Sequence, residues 1–175
     1  SGNNWSLMAS TSVAVGRGSS LVRGDGDYLY ALRGNTTKDF FRYSTTTNIW
    51  SNMASTSVNM TIQAPLVYPG SGDYVYALGG NSKDFFRYSI SGNSWSNLAS
   101  TSANAGYGAA LAYPGSGDYI YAHRGSDTTD FYRYSISGNS WTTLASSSVK
   151  NYFGGSMVWG GDNYLYLGPG TRHGG

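Results

Sequence analysis

The sequence predicts an all-β chain of four similar units, each of about four short strands, and two ladders of repetition carry that prediction. The first reads "NNWSLMASTS", "NIWSNMASTS", "NSWSNLASTS" and "NSWTTLASSS", with Trp5, Trp50, Trp95 and Trp141 standing 45, 45 and 46 residues apart. The second reads "GDYLYALRGN", "GDYVYALGGN", "GDYIYAHRGS" and a degraded "DNYLYLGPGT". Composition agrees. All nine acids are Asp, Glu is absent, and Tyr, Trp, Gly, Ser, Thr and Asn are abundant, which disfavours helix and favours strands joined by turns.

The second unit shows the strands most clearly, as "APLVY", "DYVYALGG", "DFFRYS" and "NSWSNLA", separated by "PGSG", "NSK" and "ISG". Each separator is turn chemistry: Gly supplies positive φ, Pro presets φ, and Asn or Ser bonds its own backbone. Links this short require antiparallel neighbours, so each unit is a four-stranded meander. A meander recurring at about 45 residues is the blade of a β-propeller. The units run roughly over 14–53, 59–98 and 104–144, with 150–175 plus 1–9 as a closing blade of one domain.

The third-strand motif occurs only three times, as "DFFRYS" at 39–44 and 84–89 and "DFYRYS" at 130–135, whereas the Trp motif occurs four times. The N-terminal "NNWSLM" therefore reads as a fourth strand without a preceding unit. A four-bladed ring closes if that strand joins the last blade and "TRHGG" at 171–175 stands in for the missing third strand, which avoids raw sheet edges. Two alternatives stay open: the last blade accepts a strand from another molecule, or a partial ring completes itself by assembly.

A Gly pair after the second strand (Gly79 and Gly80), a Tyr in the third (Tyr43, Tyr88, Tyr134) and a Trp in the fourth (Trp50, Trp95, Trp141) resemble the kelch repeat over essentially the whole chain. Arg33 and Arg124 replace the first Gly in two units, and Ser44, Ser89 and Ser135 stand where kelch repeats often carry Asp. The resemblance implies a divergent kelch-like propeller. Oxidases of that superfamily use copper with a cysteine-linked tyrosine, a chemistry that a chain without cysteine does not support.

The remaining chemistry is sparse. Without cysteine there is no disulfide, thiolate metal site or thiol nucleophile, and no metal or other cofactor is expected. Net charge is +2 with the basic residues scattered, so the phosphate-binding footprint of a nucleic-acid partner is missing. No apolar run reaches the roughly 20 residues of a membrane span, so no membrane insertion is expected. Asp27, Asp73 and Asp118 open second strands and Asp39, Asp84 and Asp130 open third strands, which leaves only Asp25, Asp127 and Asp162 in three different loops. No paired acid and base emerges, and no catalytic residue is assigned. Arg42, Arg87 and Arg133 recur with the blade and are expected to serve it. The "RGD" at Arg23, Gly24 and Asp25 lies in a hairpin loop whose counterparts are "PGSGDY", so turn formation accounts for it.

Where the units differ is more informative. The loops from strand two to three and from strand four to the next strand one emerge on one face of such blades. On that face Arg17, Ile62, Tyr107 and Phe153 are equivalent, with Asn59, Asn104 and Lys150 nearby and Arg33, His123 and Arg124 at the second loop. Aromatic, Arg and Asn residues at the mouth of a ring are types enriched at recognition surfaces, although exposed loops also drift. Sequons at Asn4, Asn35 and Asn59 are candidate glycosylation sites. The expected function is a non-enzymatic interaction or structural module, extracellular or on a cell surface, contacting a protein partner or copies of itself. Carbohydrate binding through stacked Tyr and Trp is the first alternative and an enzyme with a site at the channel mouth the second.

Overall fold

The computed structural model describes residues 4–171 and contains β-strands and turns, with no helix among them. Strands β1 (Ser20–Arg23), β2 (Tyr28–Leu32), β3 (Phe40–Ser44) and β4 (Ile49–Asn52) form the first sheet. Strands β5 (Leu66–Val67), β6 (Tyr74–Leu78), β7 (Phe85–Ser89) and β8 (Ser94–Asn97) form the second. The third holds β9 (Ala110–Ala112), β10 (Tyr119–His123), β11 (Phe131–Ser135) and β12 (Ser140–Thr143). Each is an antiparallel meander in chain order, as the short turns require. The fourth sheet is a hairpin of β13 (Ser156–Trp159) and β14 (Leu165–Gly168).

Strand alternation sends apolar side chains to both faces of each interior sheet, and the sheets stack through them. Tyr30, Leu32 and Phe40 of the first sheet pack on Leu66, Val75, Ala77, Phe86 and Tyr88 of the second. Tyr76, Leu78 and Phe85 repeat the arrangement against Leu111, Ile120, Ala122, Tyr132 and Tyr134 of the third. Rings meet edge to face at both of these junctions, with Phe40 4.8 Å from both Tyr88 and Trp95, and Phe85 4.7 Å from Tyr134 and 4.9 Å from Trp141. This quadrupole-favoured geometry adds to the area buried.

The repeated Asn and Trp form a lock between units. Asn93 sits at φ 44° in the turn before β8, a conformation Asn tolerates, and its Oδ1 accepts from the Tyr88 hydroxyl at 2.7 Å and the Ala54 amide at 2.9 Å. Trp95 Nε1 donates to the Ala54 carbonyl at 2.9 Å. Asn48, Tyr43, Trp50 and Ala9 make the same bonds one unit earlier, and Asn139, Tyr134, Trp141 and Ala99 one unit later. Burial, with little offset from neighbouring charges, pushes the Tyr88 and Tyr134 phenols up to about 12, so both are neutral donors in ordinary buffers. Replacing Asn93 by Ala removes two bonds and the residue best suited to that φ. We expect it to cost about 2 kcal/mol, read as a lowered urea midpoint at unchanged slope.

The repeating Asp and Arg serve the sheets. Asp73 accepts from the Ser89 hydroxyl at 2.5 Å and the Ser91 amide at 2.7 Å, and Asp118 from Ser135 at 2.6 Å and the Ser137 amide at 2.8 Å. These hydroxyl donors, with the amide bonds next, hold both carboxyls below the usual range. Arg42, Arg87 and Arg133 lie over the rings of Tyr28, Tyr74 and Tyr119 at 4.3, 4.5 and 4.1 Å, a cation–π pair in each four-stranded sheet.

The expected joining of the N-terminal strand to the last sheet is not seen. Residues 4–19 form no strand, Trp5 is 101% exposed, and among the described residues β14 pairs with β13 alone. A strand exists only with a neighbour to bond, and the period of a sequence does not name that neighbour. Of the stretch expected to replace a third strand, Thr171 instead bridges Phe153, and 172–175, with His173, lie outside the described residues, as do Ser1, Gly2 and Asn3.

Candidate functional site

The loop face is built by one main-chain device, a carbonyl seated on a glycine in all four units, with an amide bond beside it in three. The carbonyl of Arg17 accepts from the Asn35 amide at 2.7 Å, that of Tyr107 from Ser126 at 2.7 Å and that of Phe153 from Thr171 at 3.2 Å. A Gly precedes each of these donors because nothing larger fits: a Cβ on Gly34, Gly80, Gly125 or Gly170 would overlap the carbonyl oxygen of Arg17, Ile62, Tyr107 or Phe153 in turn. The second Gly of the repeat is therefore the seat of the entering loop. The entering loops of the second, third and fourth units also reach the preceding unit, through antiparallel bridges Thr37 to Met60 and Thr128 to Asn151 and an Ala105 amide bond to the Ser82 carbonyl. These contacts place the two kinds of loop on one face, as the strand arithmetic requires.

The loops also touch one another. Gln63 donates from Nε2 to the Gly155 carbonyl at 2.9 Å and accepts at Oε1 from the Gly108 amide at 2.7 Å, tying the second, third and fourth units together. Buried Asn151 donates to the Gly108 carbonyl at 2.8 Å and accepts from the Gly170 amide at 2.7 Å. Around these ties Tyr107, Tyr152 and Phe153 gather, with ring centroids 4.1 Å apart for Tyr107 and Phe153 and 4.6 Å for Tyr152 and Phe153. Lys150, mostly exposed, lies 3.6 Å from the Asp127 carboxylate. Arg17, Asn59 and Asn104 are exposed and Ile62 is half-buried.

Three of the expected ligand residues are placed otherwise. Arg33 donates from Nε to the Ala14 carbonyl at 3.0 Å and from Nη1 to Asp39 at 2.8 Å. Arg124 does the same to Asn104 at 2.8 Å and Asp130 at 2.7 Å. Both brace the entering loop against the start of the third strand. His123 is 0% exposed, replacing the core residues Leu32 and Leu78. Its Nδ1 accepts from the Gly125 amide at 3.1 Å, so Nε2 carries the proton toward Ser147 Oγ at 2.9 Å. Asn151 and Gln63 were not singled out from the sequence, because no polar residue recurs at their positions.

Burial, only partly countered by Asp130, pulls the His123 pKa down. The unfolded chain then binds the proton more readily, so the contribution of neutral His123 is present above about pH 6.5 and is lost as pH falls below it. His123→Leu, restoring the residue of the first two units, should flatten the fall in urea midpoint between about pH 7.5 and 5.

The sequons at Asn4, Asn35 and Asn59 fall on exposed residues. In the "RGD" loop Gly24 is buried, where a Cβ would meet the Tyr30 ring, and Asp25 Oδ1 accepts from the Gly26 amide at 2.9 Å. Among the described residues no group of three or more His, Asp or Glu is arranged to hold a metal ion. No helix among them is long and apolar enough to cross a membrane. No protein-family model matches the sequence, and no curated protein matches it as a relative.

Proposed function

We propose that the chain is a non-enzymatic recognition module of kelch-like propeller type, displayed extracellularly or on a cell surface, whose loop face binds a protein partner. One observation carries this reading: four equivalent loops make the same main-chain contact while their side chains differ, as Arg17, Ile62, Tyr107 and Phe153. Backbone atoms hold the platform, so the side chains on it are left to vary. Tyr107, Tyr152 and Phe153 supply rigid aromatic area, flanked by Lys150, Asn104 and Asn59, a composition suited to a hot spot with a polar rim.

The test is a binding screen of the protein against extracellular proteins and a glycan panel, repeated with Tyr107→Ser and Arg17→Glu. Binding to a protein that falls at least about 30-fold in Tyr107→Ser, the scale of one hot-spot residue, supports the reading. Binding to sugars alone transfers it to the carbohydrate alternative. A partner whose affinity neither substitution moves overturns the assignment of the surface.

A further inference from the structure

The two ends of the stack are unfinished halves of one junction. Between the first and second sheets, Phe40 is covered by Tyr88 and Trp95, and between the second and third, Phe85 by Tyr134 and Trp141. Among the described residues Phe131, the third of the series, stacks only on Tyr121 of its own sheet, at 5.9 Å. Where its covering rings would lie there is a groove of about 910 Å³, lined by Tyr121, Phe131, Ala145, Met157, Leu165 and Leu167 among others. Ala9, Ala54 and Ala99 each bond an Asn side chain and a Trp indole, whereas Ala145, their equivalent, makes neither bond among the described residues.

The missing covering group exists at the other end. Trp5 and Leu7 are 101% and 97% exposed, and Asn3-x-Trp5 repeats the Asn-x-Trp spacing of the internal locks. The outer faces match as well. Val67 and Tyr76 of the second sheet are buried against Leu111 of the third, but their equivalents Val158 and Tyr166 on the hairpin are 62% and 52% exposed, and Leu21, the equivalent of Leu111, is 59% exposed on the first sheet. Exposed apolar side chains that reproduce both sides of an internal contact form a complementary pair of patches.

The geometry points to head-to-tail association between copies of this chain: the segment 4–8 of one copy enters the groove of the next, with Trp5 covering Phe131 and donating to the Ala145 carbonyl, while Leu21 packs on Val158 and Tyr166. The second copy is the occupant because its N-terminal end carries the Trp, the spacing and the apolar face that the internal junctions already use, and because both ends of a single copy stand open to solvent. Such an interface is heterologous, so it propagates into rings or filaments. The groove borders the loop face through Ser147, Ser148, Val149 and Pro169.

Sedimentation velocity over about 1 to 100 μM tests it, a range that brackets micromolar affinity. The protein should associate reversibly. Trp5→Ser, and separately Val158→Glu with Tyr166→Glu, should each weaken association about 30-fold or more, and all three side chains are exposed enough to change without unfolding a copy. Mixing the two variants should give a dimer and nothing larger, since each retains the half the other lacks. A strict monomer, association indifferent to both variants, a mixture that does not pair, or Trp5 fluorescence shielded equally at every concentration, as intrachain closure would give, overturns the proposal.

Discussion

Alanine at position 80 should cost about 3 kcal/mol and lower the melting temperature by about 10 °C, one of the largest effects of any single methyl group in this protein. Gly80 does not have a positive φ, so the penalty is steric alone. The added carbon would overlap the Ile62 carbonyl oxygen and stand 2.7 Å from its carbon and 2.8 Å from its nitrogen. Those are main-chain atoms, which cannot swing aside as a long side chain does. The Thr61 hydroxyl, bonded to the Gly80 carbonyl at 2.8 Å, pins the two segments further. Gly72→Asn is the control. Position 72 has φ 86° with open space around it, and Asn tolerates that region, so the loss there should stay within about 1 kcal/mol. Equal losses at both positions would mean that the loop seat carries no special load.

Phe85→Ala should cost about 3 to 5 kcal/mol, and Phe131→Ala, the same change one unit later, clearly less. Phe85 is 1% exposed and meets Tyr76, Tyr134 and Trp141, so its removal leaves a cavity walled by three rings that cannot collapse together. Phe131 already borders open space, and solvent enters where the ring was. Urea unfolding of the two variants at low protein concentration measures the difference. Should the difference close as concentration rises, a second copy is covering Phe131.

The strands, their order within each meander and the turns between them were legible because each is set locally, by period-2 patterning and by residues such as Asn93 that suit a particular φ. The blade-serving roles of Asp73 and Arg87 were legible for another reason: a residue repeated in every unit meets the same neighbours in every unit. The positions of Arg33 and Arg124 were not. Arg33 stands six residues before the Asp39 that it reaches, and only the folding of the loop between them brings the two together. His123 carried a readable signal, since it replaces Leu32 and Leu78 in a strand otherwise apolar at that register, and a core position can hold an imidazole whose two nitrogens are both bonded. Asn151 and Gln63 had no such signal. Their partners, Gly108, Gly155 and Gly170, are main-chain groups brought close only by the stacking of sheets. The fate of the segment around Trp5 was likewise beyond local reading, because pairing is a property of two strands.

The glycine seats have a consequence for how such a surface changes over generations. Since the entering loops are anchored by peptide groups, residues 17 and 62 can be exchanged one at a time without retuning the scaffold beneath them, while 107 and 153, whose rings pack 4.1 Å apart, change together. Duplication of a unit copies the anchor and leaves its outward letter free to mutate. A library randomised at those four codons should therefore yield mostly folded variants, turning the chain into a small palette of binders from one unchanging frame.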